Sequence, residues 1–129
     1  MYTHPGNRPR FLSLMAIKFP LNAKLSAMHR ITGLMLIVSL LGYLALAHLI
    51  IIHPTVTLTS IHDHCIVNCL NSVFWSALTF HWLSGLRHLL AEHFTKPNHY
   101  QLINSSKVSY LLLITWLIIS LAITYQAWY

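Results

Sequence analysis

The sequence predicts an all-α membrane protein with three transmembrane helices. Composition is the first reason: 56% of its 129 residues are hydrophobic and 8% are charged, whereas soluble domains are about a quarter charged. The second reason is that three stretches without charge reach the length of about 20 residues that a helix needs to cross the hydrocarbon core. The third is the position of Lys and Arg, which gather outside these stretches. Disordered and fibrous folds are excluded by the same composition.

The first transmembrane helix is predicted over residues 26–52. After Arg30 the chain carries no charge until Asp63, which leaves ample length for a span. The proline at position 54 cannot continue a helix, so the span must end just before it. Residues 1–25 are predicted to form an N-terminal segment in the cytoplasm.

The second transmembrane helix is predicted over residues 65–92 and the third over residues 106–128. The second is the more polar of the two, since its uncharged part carries Asn68, Asn71, Ser72, Ser76, Thr79 and His81. The third ends in aromatic rings, which favour the headgroup layer of a bilayer: Tyr125, Trp128 and Tyr129.

Basic residues predict the orientation. Five of the eight Lys and Arg residues precede residue 31, Lys96 lies between the second and third spans, and Lys107 lies at the start of the third. The first connection, residues 53–64, has neither and contains Asp63. The positive-inside bias therefore places the N-terminus in the cytoplasm, and the first connection and the C-terminus on the outer side.

The basic N-terminal segment also bears on location. The net charge is +6, but the basic residues border apolar runs, so we interpret them as topology signals and expect no nucleic-acid binding. Residues 1–24 lack the apolar core of a secretory signal, although they are basic and free of acids like a mitochondrial presequence. We expect a multi-pass protein of the bacterial inner (cytoplasmic) membrane, with the mitochondrial inner membrane as the alternative. The spacing of Cys65 and Cys69 matches neither a redox pair nor a haem attachment motif, and we interpret them as small buried thiols.

A stripe of polar residues lies on the predicted second helix. Its spacing, i, i+3, i+4 and i+7, confines it to an arc of about 100°. A glycine between two histidines leaves a flat notch in which a planar ligand could lie against the backbone. Imidazole is a usual axial ligand of haem iron, so the stripe suggests a haem site; the alternative is a histidine that hydrogen-bonds to a neighbouring helix. The stripe consists of His81, Ser84, Gly85 and His88.

A similar stripe opens the first helix. It combines a hydroxyl donor, an imidazole that exchanges protons near neutral pH and a guanidinium, a set that suits an anionic or quinonoid oxygen. An arginine standing alone at this border would be interpreted as a snorkelling residue, but its neighbours favour a binding role. The stripe consists of Ser26, His29, Arg30 and Gly33.

The depth of each residue in the membrane, counted along its helix from a border arginine, predicts how the two stripes meet. We take Arg87 as a border residue, so that His81 lies roughly 9 Å inside it. His48 lies roughly 27 Å beyond Arg30, too deep to share a haem with His81. We therefore interpret His48 as a border or helix-contact residue and expect the second haem ligand from a partner subunit. Three residues near the cytoplasmic edge could pair with haem propionates: His29, Arg30 and His88.

Two motifs run through these stripes. One is Phe19-Pro20 followed by Ser26-x-x-His29-Arg30-x-Thr32-Gly33, and the other is His81-x-x-x-Gly85-x-Arg87-His88-Leu89. Both resemble the cytochrome b large anchor subunit of succinate dehydrogenase, respiratory complex II, in the order of that family and with its three spans. Glu92 stands where the family more usually has Asp.

The resemblance implies a function for each residue. His81 would be an axial ligand of haem b, shared with a second small membrane-anchor subunit, and His29, Arg30 and His88 would surround the propionates. Ser26 and Arg30 would help to bind ubiquinone, the electron acceptor. A flavoprotein with FAD would oxidise succinate, and an iron-sulfur subunit would pass the electrons on.

Three alternatives stay open. A membrane anchor without haem would use its histidines structurally, and the anchor of a quinol:fumarate reductase would serve the reverse reaction. A small transporter or proton channel would also explain histidines in a membrane. The charge-free stretches contain no acidic residue and the chain shows no inverted half-repeat, and both observations disfavour the transporter.

Overall fold

The structure is a computed structural model that describes residues 18–53, 55–61, 64–94 and 96–129. These ranges contain helices and no strand, which confirms the all-α prediction. Residues 1–17, most of the predicted N-terminal segment, lie outside the described residues. The helices in chain order are α1 (Leu21–Ile52), α2 (Leu58–Ile61), α3 (Cys65–His93), α4 (Pro97–Ile103) and α5 (Ser106–Trp128).

Helix α1 begins five residues before the predicted position 26, and the reason lies in the backbone of Pro20. Its φ of −62° and ψ of 155° place it just outside the helix. Its carbonyl oxygen accepts hydrogen bonds from the backbone N–H of Ala23 at 3.0 Å and of Lys24 at 3.2 Å. At the other end His53 is extended, with φ −113° and ψ 92°, as expected of a residue before proline.

Helix α3 lies between α1 and α5 and provides most of the contacts that hold the three long helices together. The buried core consists of Leu25, Phe80 and Leu112, one from each long helix. Phe80 is fully buried and meets the ring of Trp116 edge-on, with 5.4 Å between the ring centroids. The core is small because most apolar side chains of α1 and α5 face outward.

The polar side chains of α3 meet the neighbouring helices. The indole N–H of Trp116 donates to the carbonyl of Ser76 at 3.0 Å, and the hydroxyls of Ser76 and Ser120 lie 2.8 Å apart. On the opposite side Tyr43 donates a hydrogen bond to the Asn71 side chain. Interhelical hydrogen bonds of this kind are how polar residues are accommodated between membrane helices.

Two segments of the described chain are long and apolar enough to cross a membrane, judged by length and composition. They are Leu21–Ile52 and Pro97–Trp128, the second of which comprises α4 and α5. The same criterion does not select α3, whose polar residues lower its hydropathy. The third span and the orientation of the chain therefore stay predictions.

The two cysteines are exposed, so their interpretation as buried thiols is wrong. Cys65 and Cys69 occupy the first turns of α3, where Ile66 between them is also exposed. Contact with α1 is made by another face of the helix, through Asn71 and Phe74. Apolar character alone did not indicate which face of α3 would be covered.

Arg87 is buried, with 6% of its surface exposed, although its sequence position suggested a border residue. Its guanidinium donates to the carbonyl of Ile103 at 3.1 Å and to the side-chain oxygens of Asn22 at 2.8 Å and Asn104 at 3.2 Å. The Asn22 amide also donates to the backbone carbonyl of Asn104 at 2.8 Å. This network joins α1, α3 and the turn between α4 and α5 with neutral acceptors alone.

We expect Asn22→Ala to destabilise the detergent-purified full-length protein by about 1–3 kcal/mol, because it removes an acceptor from a buried cation. Thermal unfolding followed by circular dichroism measures the loss. Asn98→Ala is the matched control, since Asn98 is exposed and its side chain hydrogen-bonds no other described residue. Equal melting temperatures for the two variants would contradict a stabilising role for the Arg87 network.

Candidate functional site

Two imidazole rings stack where α1 crosses α3. The ring centroids of His29 and His81 lie 3.9 Å apart, with 12° between the ring planes. His88 lies seven residues after His81 on the same face of α3. It meets the ring of His29 edge-on, with a centroid distance of 5.5 Å. The structure thus brings together the three histidines that the sequence assigned to a haem site.

A glycine lies beside each imidazole at this close approach, and at Gly33 a Cβ atom would force the neighbouring ring to shift. A Cβ atom at Gly33 of α1 would lie 3.1 Å from Cε1 of His81, and one at Gly85 of α3 would lie 3.4 Å from Cε1 of His29. Each imidazole therefore packs on a glycine of the opposite helix. The notch predicted at Gly85 for a planar ligand is occupied by the His29 ring, because α1 carries that ring across the surface of α3.

The Nδ1 atom of His81 lies 3.1 Å from the backbone carbonyl oxygen of His29 and 3.4 Å from the Thr32 hydroxyl. Thr32 itself donates to the same carbonyl at 2.9 Å. Because a carbonyl oxygen only accepts, Nδ1 of His81 must carry the hydrogen. In the neutral ring Nε2 then has a free lone pair, and no other described residue hydrogen-bonds to it.

This is the protonation state that metal ligation through Nε2 requires, with the second ring nitrogen held by a carbonyl. Within the described ranges no group of three or more His, Cys, Asp or Glu side chains is placed to hold a metal ion. A metal on His81 would therefore need its other ligands from outside this set of side chains. Haem satisfies that condition, because its porphyrin supplies four nitrogens.

The side chain of His29 is held by Ser84. Its Nδ1 atom lies 2.6 Å from the Ser84 hydroxyl oxygen, and Ser84 is buried with 2% of its surface exposed. The same hydroxyl donates to the carbonyl of Phe80 at 2.8 Å. A chain of hydrogen bonds thus connects the α1 histidine to the backbone of α3.

Ser26 and Arg30 lie beside this cluster without contacting it through hydrogen bonds. Both are on α1, three residues before and one residue after His29. Ser26 is half-buried and Arg30 is exposed. Neither side chain hydrogen-bonds another described residue, so both retain their donors for a ligand or a partner.

Sequence reasoning placed His29 near the membrane edge and His81 deeper, yet the two rings touch. The expected offset came from taking Arg30 and Arg87 as level. Arg87 instead hydrogen-bonds Asn22, so His29, seven residues further along α1, lies level with His81, six residues from Arg87 on α3.

The sequence assigned no role to Thr32 or Ser84, although Thr32 belongs to the first motif and Ser84 to the polar stripe of the second helix. Their hydrogen bonds depend on where α1 crosses α3, and no spacing within one helix reveals that crossing.

Comparison with protein families gives a match over residues 4–125 to the succinate dehydrogenase/fumarate reductase transmembrane subunit. The match covers both polar motifs, the whole of α1 and α3, and α5 as far as residue 125. A comparison with curated proteins gave no match.

We expect Gly33→Ala to displace the His81 ring by a few tenths of an ångström, since the new methyl would lie 3.1 Å from Cε1. The ring shift should change the ¹⁵N chemical shifts of His81 in the histidine-labelled protein. Gly42→Ala is the matched control on the same helix, because its methyl meets only the flexible end of Leu70, at 3.0 Å. Unchanged His81 shifts in Gly33→Ala would refute the tight packing.

Proposed function

Because the chain belongs to the succinate dehydrogenase/fumarate reductase transmembrane subunit family, we propose that it is the membrane anchor of a succinate dehydrogenase that holds haem b and helps to form the ubiquinone-reduction site. The family places the chain in a membrane and in a multi-subunit oxidoreductase complex. The finer assignment is carried by one observation: His81 is held through Nδ1 with its Nε2 free, beside His29 and His88.

His81 would ligate the iron through Nε2, and a second small anchor subunit would supply the opposing ligand. Bound haem b supplies a one-electron redox centre. The Nδ1–H bond to the His29 carbonyl orients the ligand ring and makes it a better donor. His88 and the exposed Arg30 would face the propionates with His29 beside them, and the guanidinium and N–H groups would balance carboxylate charge.

Ubiquinone would bind at Ser26 and Arg30, which lie one turn apart on α1. The Ser26 hydroxyl can donate to a quinone carbonyl. The Arg30 guanidinium can stabilise the negative charge that develops on that oxygen during reduction. Both side chains have their donors free, and they adjoin the histidine cluster, so electrons would need to cover only a short distance.

The remaining steps belong to partner subunits. A flavoprotein with FAD would oxidise succinate, and an iron-sulfur subunit would carry the electrons to the membrane. This chain would hold those subunits at the bilayer through three spans, with the N-terminus in the cytoplasm, in a bacterial inner membrane or in the mitochondrial inner membrane. The quinol:fumarate reductase alternative uses the same family of subunits, and the relative rates of succinate oxidation and fumarate reduction in the purified complex distinguish the two.

The haem assignment is tested with His81→Leu in the purified complex. We expect the Soret absorbance to fall to a small fraction of the wild-type value, because the iron loses a ligand. His48→Leu is the control, since His48 lies exposed elsewhere on α1. A wild-type complex without a Soret band would support the anchor without haem, and an unchanged spectrum in His81→Leu would exclude this residue as a ligand.

The quinone assignment is tested with Ser26→Ala and Arg30→Leu. Each should lower succinate:quinone reductase activity about tenfold or more, as the loss of a hydrogen bond to a charged oxygen does. Succinate oxidation with an artificial dye should remain, because it bypasses the quinone. Lys24→Leu, which removes an exposed cation from the same helix, should leave both activities intact. A parallel loss of both activities in the Ser26 and Arg30 variants would indicate failed assembly instead.

A further inference from the structure

We propose that Ser84 is a positioning residue that fixes His29 as its Nδ1–H tautomer and thereby holds the ring that packs against His81. Ser84 lies on α3 and His29 on α1, so the contact is between helices. Its effect on haem rests on the proposed function, whereas the tautomer itself does not.

The tautomer follows from counting hydrogens. The Ser84 hydroxyl has one hydrogen and two close neighbours, the Phe80 carbonyl oxygen at 2.8 Å and the Nδ1 atom of His29 at 2.6 Å. The carbonyl oxygen can only accept, so the hydroxyl hydrogen lies in that contact. Nδ1 of His29 must then donate to the Ser84 oxygen. With the opposite tautomer, either the hydroxyl would have to leave the Phe80 carbonyl and donate to Nδ1, or two lone pairs would face each other at 2.6 Å.

The burial of Ser84 favours this arrangement of the hydrogen atoms. Ser84 has 2% of its surface exposed, so solvent does not readily replace either partner, and an unpaired buried polar atom costs about 1–3 kcal/mol. Its hydroxyl lies 3.3 Å from the His81 carbonyl as well, a longer contact on the same side of the helix. With its hydrogen directed to these carbonyls, the oxygen of Ser84 is available to accept the His29 hydrogen.

The consequence for His81 is orientation from two sides. The His29 backbone carbonyl holds Nδ1 of His81, and the His29 ring covers one face of the His81 ring at 3.9 Å. The first restraint is part of the α1 backbone, but the second depends on a side chain that could turn about its own bonds. Ser84 prevents that turn, and so fixes the plane of the imidazole proposed to ligate the iron.

The first test measures the tautomer of His29 directly. In the intact complex with ¹⁵N-histidine in this chain, His29 should show a protonated Nδ1, its signal being identified by its loss in His29→Gln. Ser84→Ala should move the His29 signal toward the Nε2–H tautomer. Ser72→Ala should not, although it removes the same type of bond from α3, a hydroxyl donating 2.8 Å to the carbonyl four residues earlier. A wild-type His29 protonated only at Nε2, or an unchanged signal in Ser84→Ala, would overturn the proposal.

The second test measures the electronic symmetry of the haem iron. Electron paramagnetic resonance of the oxidised complex should show a shifted largest g value in Ser84→Ala and a wild-type value in Ser72→Ala, because a turned ligand ring alters the iron's electronic symmetry. Equal g values in all three proteins would overturn the effect on His81. A wild-type complex that lacks haem would instead overturn the proposed function, and the tautomer measurement would still decide the role of Ser84.

Discussion

The close contact between α1 and α3 is the constraint on which the site depends. It is possible because Gly33 and Gly85 each leave room for an imidazole from the opposite helix. Without that approach His29 would not stack on His81, its carbonyl would not reach Nδ1, and Ser84 would not meet its ring. The absence of a side chain at each glycine thus leaves space for the contacts that orient both imidazole rings.

Several polar side chains of the described helices are directed toward protein and not toward the outer surface. The middle helix, α3, places Ser76 against α5, Asn71 against α1 and Arg87 against the turn before α5. Apolar side chains cover the outward faces of its neighbours. In a low-dielectric environment such interhelical hydrogen bonds replace the water that each group would lose.

Periodicity within one helix could be read from the sequence, and contacts between helices could not. The arcs that contain His29 and His81 could be seen in the residue spacing. The start of α1 at Leu21 lies five residues before the predicted position. The burial of Arg87 was missed because its acceptors, Asn22 and Asn104, lie far away in sequence. Cys65 and Cys69 were misplaced because hydropathy does not distinguish the two faces of α3. The family resemblance supplied the haem and quinone, which no spacing implies uniquely.

The polarity of α3 has a consequence for biogenesis. Of the three long helices it is the one that length and composition do not mark as able to cross a membrane. Its buried arginine has one acceptor that is translated before it, Asn22, and two that are translated after it, Ile103 and Asn104. For a transmembrane α3, leaving the translocon alone would expose that cation to acyl chains. A transmembrane α3 would therefore complete the pairing of its arginine only after the following segment has been synthesised, which favours entry of α3 and α5 into the bilayer together.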